Sequence, residues 1–245
     1  MKKFWNFIKN EATDETPESI ELRIEGDIVD KDDAWAYEMF GVDCVTPNLF
    51  KDELSKFSGA DLTVWIDSYG GNVFAAVGIY NALKEHKGEI TIKIDGKAMS
   101  AATIIAMAGD KILMSPVSIM MIHNPLTEAS GYANDLRKTA DVLDTIKDAI
   151  INAYELKTNR SRAKISAMMD DETYMSAKMA IKDGFADGML YGEAEGAEQD
   201  ISNFAFSRIP ILNSTNDAVR RMIEMSKPPD DTSVIKAKLD LELQI

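Results

Sequence analysis

LTVWIDSYGGNVFAAVGIYNALKEHKGEITIKIDGKAMSAATIIAMAGDKILMS, residues 62–115, is the stretch that decides the fold. LTVWID (62–67) and ITIKID (90–95) are short apolar-rich runs bounded by polar and glycine residues, and both read as strands. Between them SYGG (68–71) reads as a turn. NVFAAVGIYNALKEH (72–86) then reads as a helix with Val73, Ala76, Val77, Tyr80 and Leu83 on one side. A second helix is expected from Ser100 to Ala108, followed by KILMS (111–115) as a short strand. Strand, helix, strand, helix, strand is the alternation of an α/β protein with parallel crossovers.

The same reading extends outward. IELRIEGDIV (20–29) alternates as a strand, Pro47–Phe57 reads as helical, and SIMMI (118–122) is another short strand. From Ala133 to Thr158 there is neither Gly nor Pro, and Leu136, Ala140, Leu143, Ile146, Ile150, Ala153 and Leu156 recur at helical steps. A helix of roughly 25 residues is about 37 Å long, more than a compact core needs. It is expected to project and pack against a second copy of the chain, or else to lie across its own sheet. SAKMAIKDGFADGML (176–190) reads as a short helix ended by Gly184 and then a strand. The expected organisation is an extension or linker over 1–19, a main α/β domain over 20–195 and a C-terminal extension, for assembly or partner contact, over 196–245. Within the first, Met1–Lys9 reads as a docking end or a weak amphipathic helix, and residues 10–19 as a polar linker. Within the last, helical pieces are expected over Asp217–Met225 and Ser233–Leu243, around a KPPDD break.

Composition narrows the function classes. The 245 residues carry 27 basic and 41 acidic side chains, a net charge of −14, which disfavours nucleic acid or an anionic membrane as principal partner. No apolar run is long enough to span a bilayer, and the amino end lacks the apolar core of a signal peptide. A cytoplasmic location is expected. One cysteine, Cys44, and two histidines, His86 and His123, leave no basis for a disulfide framework or a multi-histidine metal site, and no cofactor is expected.

Four features could carry chemistry. Ser100 stands where ITIKID gives way to a helix, among the small neighbours Ala98, Ala101 and Ala102. There it either caps the helix or presents a hydroxyl beside outward-pointing backbone N–H groups. His123 ends the apolar SIMMI strand just before Asn124-Pro125. It is either a general base, the role its unperturbed pKa suits, or a half-buried histidine bonded to loop carbonyls. Gly70-Gly71 either forms a simple turn or brings backbone N–H groups close to a ligand. Asp170-Asp171-Glu172 is either a solvated acidic run or the source of a carboxylate that orients a histidine. His86, in LKEHKGE at a helix C-terminus, reads as a solvated histidine with no catalytic role.

Taken in order, IDSYGG, GKAMSAA, MIHNP and DETYMSAKMAIKDGFAD resemble the proteolytic subunit of the Clp protease, family S14 of the serine peptidases, over about residues 20–190. The resemblance implies the ClpP/crotonase superfold, a spiral of β-β-α units with a long projecting handle helix at 133–158. It implies Ser100 as nucleophile, His123 as general base, and the backbone N–H groups of Gly71 and Ala101 as oxyanion donors. It also implies protein substrates and a homo-oligomeric ring closed through the handle helix. The third triad member departs from the family pattern. Counting two residues back from Tyr174 gives Glu172 where the family has aspartate, so Asp171 stays an alternative. A Ser–Lys pair using Lys97, as in signal-peptide-peptidase relatives of the fold, is a weaker possibility.

A second departure concerns biology. The residues before Ile20 do not resemble the pore-guarding hairpin of Clp peptidases, the segment 30–57 is longer than usual, and a tail follows residue 195. These features resemble the ClpP-related head maturation (prohead) proteases of tailed phages, which trim scaffold and capsid protein without an unfoldase. That reading, with the protein inside the assembling prohead of a host cell, is the leading expectation. The alternative is a bacterial Clp subunit that degrades unfolded chains with an ATPase partner. A crotonase-type acyl-CoA enzyme and an inactive assembly scaffold are the remaining readings.

Overall fold

The computed structural model describes residues 5–10, 19–29 and 47–191. Cys44, the 11–18 part of the linker, the 30–46 segment and the C-terminal helices expected at 217–225 and 233–243 lie outside the described residues.

The described residues form a mixed α/β fold around one eight-stranded sheet. Strand β1 (Trp5–Asn10) pairs antiparallel with β2 (Ser19–Ile28). Helix α1 (Pro47–Ser55) leads to β3 (Leu62–Gly71), α2 (Val73–Lys84) and β4 (Ile90–Met99). Strands β2, β3 and β4 run parallel, as the crossover pattern requires. Short helix α3 (Ala101–Ala106) follows, then β5 (Lys111–Met114) and β6 (Ile119–Ile122). The long helix α4 (Ala133–Thr158), α5 (Arg162–Asp170), β7 (Thr173–Ser176), α6 (Ala177–Asp183) and β8 (Gly188–Met189) complete the order.

The strands form because one face is aliphatic and buried. Leu62, Val64 and Ile66 of β3 and Ile90, Ile92 and Ile94 of β4 are at most 2% exposed, while Thr63, Trp65, Asp67, Thr91 and Lys93 between them are half-buried on the other face. Helix α2 covers the apolar face with Val73, Ala75, Ala76, Ile79, Ala82 and Leu83. That face is rotated from the one the sequence suggests, since Val77 is 36% exposed and Tyr80 only half-buried. All six residues of α3 are buried, which explains its run of Ala, Thr and Ile.

Strand β4 forks, and the fork positions the site. Its first half, Thr91–Ile94, pairs with β5, and its last residues, Lys97–Met99, pair with β6. The strand thus reaches four residues beyond ITIKID and delivers Ser100 to the edge of β6. Strand β3 is likewise longer than expected: SYGG is its last stretch and not a separate turn, carried past a register irregularity at Ile66/Ser68.

The amino end differs from the sequence reading too. Trp5–Asn10 is an edge strand, neither a frayed or docking end nor a helix, so part of the expected extension belongs to the sheet. Trp5 is 2% exposed, meets Phe50 of α1 edge-on at 5.1 Å between centroids, and donates from Nε1 to Glu53 at 2.9 Å. Helix α5 and strand β7 are elements the sequence reading did not assign. Helix α4 has the expected bounds. Its buried residues concentrate from Ile146 onward, while its first two turns are largely exposed.

Candidate active site

Ser100 is the first residue after β4, and its backbone decides between the two readings of its role. Its N–H donates to Met121 O at 2.8 Å, which locks the residue to β6. Its φ of 53° and ψ of −125° lie in a region that residues with a Cβ rarely adopt. A capping serine has extended dihedrals and accepts from the first-turn N–H groups. Ser100 makes no such bond, although it stands at the N-cap of α3. Its Oγ instead lies 2.7 Å from His123 Nε2.

His123 reaches that point because β6 ends there. The strand Ile119–Ile122 is mostly buried and parallel to the end of β4, so the next side chain emerges beside Ser100. His123 is itself only 8% exposed. Strand β7 runs antiparallel to β6, with Met121 opposite Tyr174 and Ile122 opposite Thr173. The ladder ends at that pair, and His123 and Glu172 are the residues that directly flank it.

The neighbouring carboxylates stand elsewhere. Asp170 accepts from Lys147 Nζ at 2.6 Å and from Asn124 Nδ2 at 2.8 Å, tying α4, α5 and the loop after β6 together. Those two bonds, Lys147 first, hold its carboxyl below the ordinary range. Asp171 is exposed at the C-cap of α5, whereas Glu172 is half-buried with a left-handed φ of 48°.

The two glycines of SYGG bring β3 against the serine. A Cβ on Gly70 would stand 2.5 Å from Met99 O and 2.9 Å from both Ala101 N and Ser100 Cβ. A Cβ on Gly71 would stand 2.1 Å from Ile28 O, and its φ is 143°. The segment is held on both sides. Gly70 N–H donates to Ser68 Oγ at 3.0 Å, and Asn72 caps α2 by accepting from the Phe74 and Ala75 N–H groups. Gly71 and Ala101 therefore border the same pocket as Ser100 and His123. Its remaining wall is mostly apolar, with Val73, Ile104, Leu126, Ile150 and Tyr154, and includes Asn124 as a polar member.

Other sequence candidates do not join this site. Lys97 Nζ lies 2.6 Å from Asp67 Oδ1 and 4.3 Å from the centroid of Tyr69, outside the residues that line the pocket, so the geometry gives Ser100 a histidine partner and not a lysine. His86 is half-buried, with Nε2 2.6 Å from Ala60 O, and is less solvated than its place in the sequence suggested. Among the described residues no group of three or more His, Cys, Asp or Glu could hold a metal ion. No helix among them is long and apolar enough to cross a membrane. Sequence reasoning missed Thr103 and Tyr154, two buried hydroxyls whose oxygens stand 2.6 Å apart beneath Ser100. The one signal was Thr103 inside the otherwise apolar stretch ATIIAMA; Tyr154 stands between Asn152 and Glu155 in INAYEL and gave none.

A serine and a histidine paired at strand ends beside a largely apolar pocket, on a forked mixed sheet, fit a serine-type hydrolase of the α/β class. The Clp protease family profile matches residues 49–193, and the chain belongs to that family. It is similar to the ATP-dependent Clp protease proteolytic subunit of Bacteroides fragilis, 30% identical over 155 residues that cover 61% of this chain and 75% of the relative. The corresponding subunit of Carsonella ruddii is 31% identical over 140 residues, 56% of this chain and 72% of its own. Proteolytic subunit 1 of Prochlorococcus marinus is 33% identical over 132 residues, covering 53% and 67%.

Proposed function

We propose that this chain hydrolyses peptide bonds with Ser100 as nucleophile, His123 as general base and Glu172 as the carboxylate that orients the imidazole. The observation that carries the reading is the 2.7 Å approach of Ser100 Oγ to His123 Nε2 at the edge of an apolar pocket. Oγ attacks the scissile carbonyl as its proton passes to Nε2. The backbone N–H groups of Gly71 and Ala101 receive the charge that develops on the carbonyl oxygen. The imidazolium then gives its proton to the departing amine, and water, activated by the same histidine, releases the acyl group. Glu172 is preferred to Asp171 because the β6–β7 register favours it and Asp171 is exposed. The apolar wall of Val73, Ile104, Leu126 and Ile150 fits an apolar side chain on the acyl side of the cleaved bond.

The reading of its biology that the similarities support best is a Clp-type proteolytic subunit working with an ATPase partner; the relatives' names call those proteins proteolytic subunits of an ATP-dependent Clp protease. This reverses the order of the two expectations drawn from the sequence. The phage prohead protease stays as a second reading, favoured by residues 1–48 and 194–245 falling outside the family match. The test is a serine-reactive phosphonate with wild type, Ser100→Ala and His123→Ala. Labelling and peptide cleavage are expected in the wild type and lost in both variants; equal labelling in Ser100→Ala would remove the central claim. Cleavage of folded capsid or scaffold protein without ATP or an unfoldase would favour the second reading over the first.

A further inference from the structure

Beneath Ser100 a chain of hydroxyls leads from the long helix to the nucleophile's own carbonyl. Thr103 Oγ1 lies 2.5 Å from Ser100 O and 2.6 Å from the Tyr154 hydroxyl. A carbonyl can only accept, so the Thr103 hydroxyl proton is directed to Ser100 O. Thr103 has no second hydroxyl proton, so Tyr154 is the donor of the other bond. The order is thus Tyr154 O–H to Thr103 Oγ1, and Thr103 O–H to Ser100 O. The Thr103 backbone N–H also donates to Ser100 O, at 2.9 Å. Both residues are at most 1% exposed, and burial pushes the Tyr154 phenol far above its ordinary range, so its proton stays in place.

The carbonyl of Ser100 and the N–H of Ala101 belong to one planar trans peptide unit. Holding the oxygen therefore sets the direction of the N–H on the opposite side. Donors on that oxygen also polarise the amide and strengthen its N–H as a donor. Ala101 N–H is one of the two oxyanion donors proposed above, and Ser100 itself sits at a strained φ that needs external support.

We infer that Thr103 and Tyr154 are positioning residues of the oxyanion hole, which aim and polarise the Ala101 N–H through the Ser100 carbonyl. The inference rests on Ser100 being the nucleophile. It differs from a packing role because it acts on the transition state and leaves ground-state binding alone.

The experiment compares Tyr154→Phe, Thr103→Val and Thr103→Ser in the full chain. The readouts are kcat and KM on a fluorogenic peptide and the inhibition constant of a matched peptide boronate, whose adduct with serine mimics the oxyanion intermediate. Tyr154→Phe keeps the ring edge-on to Phe185 at 5.6 Å and removes only the hydroxyl. A fall in kcat of about tenfold is expected, less than the roughly hundredfold or more that follows outright loss of a donor. KM should stay within about twofold, and the boronate should weaken by the same factor as kcat. Thr103→Val should match or exceed this effect, and Thr103→Ser should restore most of the activity. The double variant should fall short of the product of the two single effects. Unchanged kcat and boronate affinity in both Tyr154→Phe and Thr103→Val would overturn the inference, as would a loss confined to KM or one that Thr103→Ser fails to rescue. Failure of the boronate and the phosphonate to modify Ser100 in the wild type would overturn the nucleophile assignment itself, a distinct result.

Discussion

An imidazole that takes a proton from Ser100 becomes a cation in a largely buried setting, and a carboxylate at its other nitrogen offsets that cost. Glu172 and His123 directly flank the last pair of the β6–β7 ladder, Asp171 is exposed, and Asp170 is held by Lys147 and Asn124. Glu172→Gln is therefore expected to lower kcat by roughly a hundredfold or more, the range of general-base effects, while Asp171→Asn stays near wild type. Steady-state cleavage of a fluorogenic peptide checks both, and the reverse order would assign the role to Asp171. A second carboxylate is informative about stability. Burial raises the Asp27 carboxyl above its ordinary 3.8, since the charged form loses solvation there. A raised folded pKa means the unfolded chain gives up the proton first as pH rises. The associated stability is complete below the unfolded value and is lost as pH passes upward through the folded one. Asp27→Asn should accordingly raise the melting temperature at pH 7 and change it little near pH 3. An equal effect at both pH values would rule out the charge as the cause.

Among the elements, those with one buried face were legible in the sequence and those set by distant pairing were not. LTVWID and ITIKID show their apolar residues because α2 and α3 cover one side of β3 and β4. Helix α4 shows its period over 26 residues without a breaker. SYGG reads as a turn because of its two glycines, yet it and GKAM are both strand ends, held in place by Ile28, Met99 and β6. Strand β7 is four residues long and its partner β6 lies about fifty positions upstream, a relation no local pattern encodes. The amino-terminal strand reads as a docking end or a weak helix for a similar reason, since its partner β2 lies beyond a polar segment. Ser100 itself was ambiguous because cap and nucleophile use the same residue type and differ in backbone dihedrals. The strand end at Gly70 provides a test at this scale. Gly70→Ala would force a Cβ into Met99 O and Ala101 N at a φ of 100°. The strain is about 1–3 kcal/mol before any contact is relieved. Relief must displace either β3 or the turn that carries Ser100. A chain that remains folded by circular dichroism but loses most of its peptidase activity is the expected outcome; full activity would show that the Gly70 approach does not set the Ser100 geometry.

At the scale of the whole molecule, the first turns of α4 are largely uncovered by the described residues. The helix is about 39 Å long by its rise per residue, and its buried residues lie mainly in the second half. Tyr132 is 87% exposed and Leu136 45%, one turn apart on the same side. Ala140 and Leu143 continue that side toward the body of the domain, where Leu143 packs against the core. An apolar stripe of this kind at the projecting end of a helix is suited to burial against a second copy, the arrangement expected from the family resemblance. Leucine burial is worth about 2 kcal/mol per side chain. Leu136→Glu removes that gain and adds a charge to a chain already at net −14. The dissociation constant of the assembly should then rise roughly tenfold or more, because each 1.4 kcal/mol is a factor of ten. Lys138→Glu, on an adjoining part of the helix, provides a control that adds acidic charge while leaving the apolar stripe intact. Sedimentation velocity over a concentration series should show Leu136→Glu shifted to smaller species while its far-ultraviolet circular dichroism and melting temperature stay close to wild type. Peptide cleavage per chain should fall in step with the loss of the larger species if substrate is processed inside the assembled particle. Wild-type assembly by Leu136→Glu, or an equal loss in Lys138→Glu, would exclude the apolar stripe of α4 as the contact that holds the copies together.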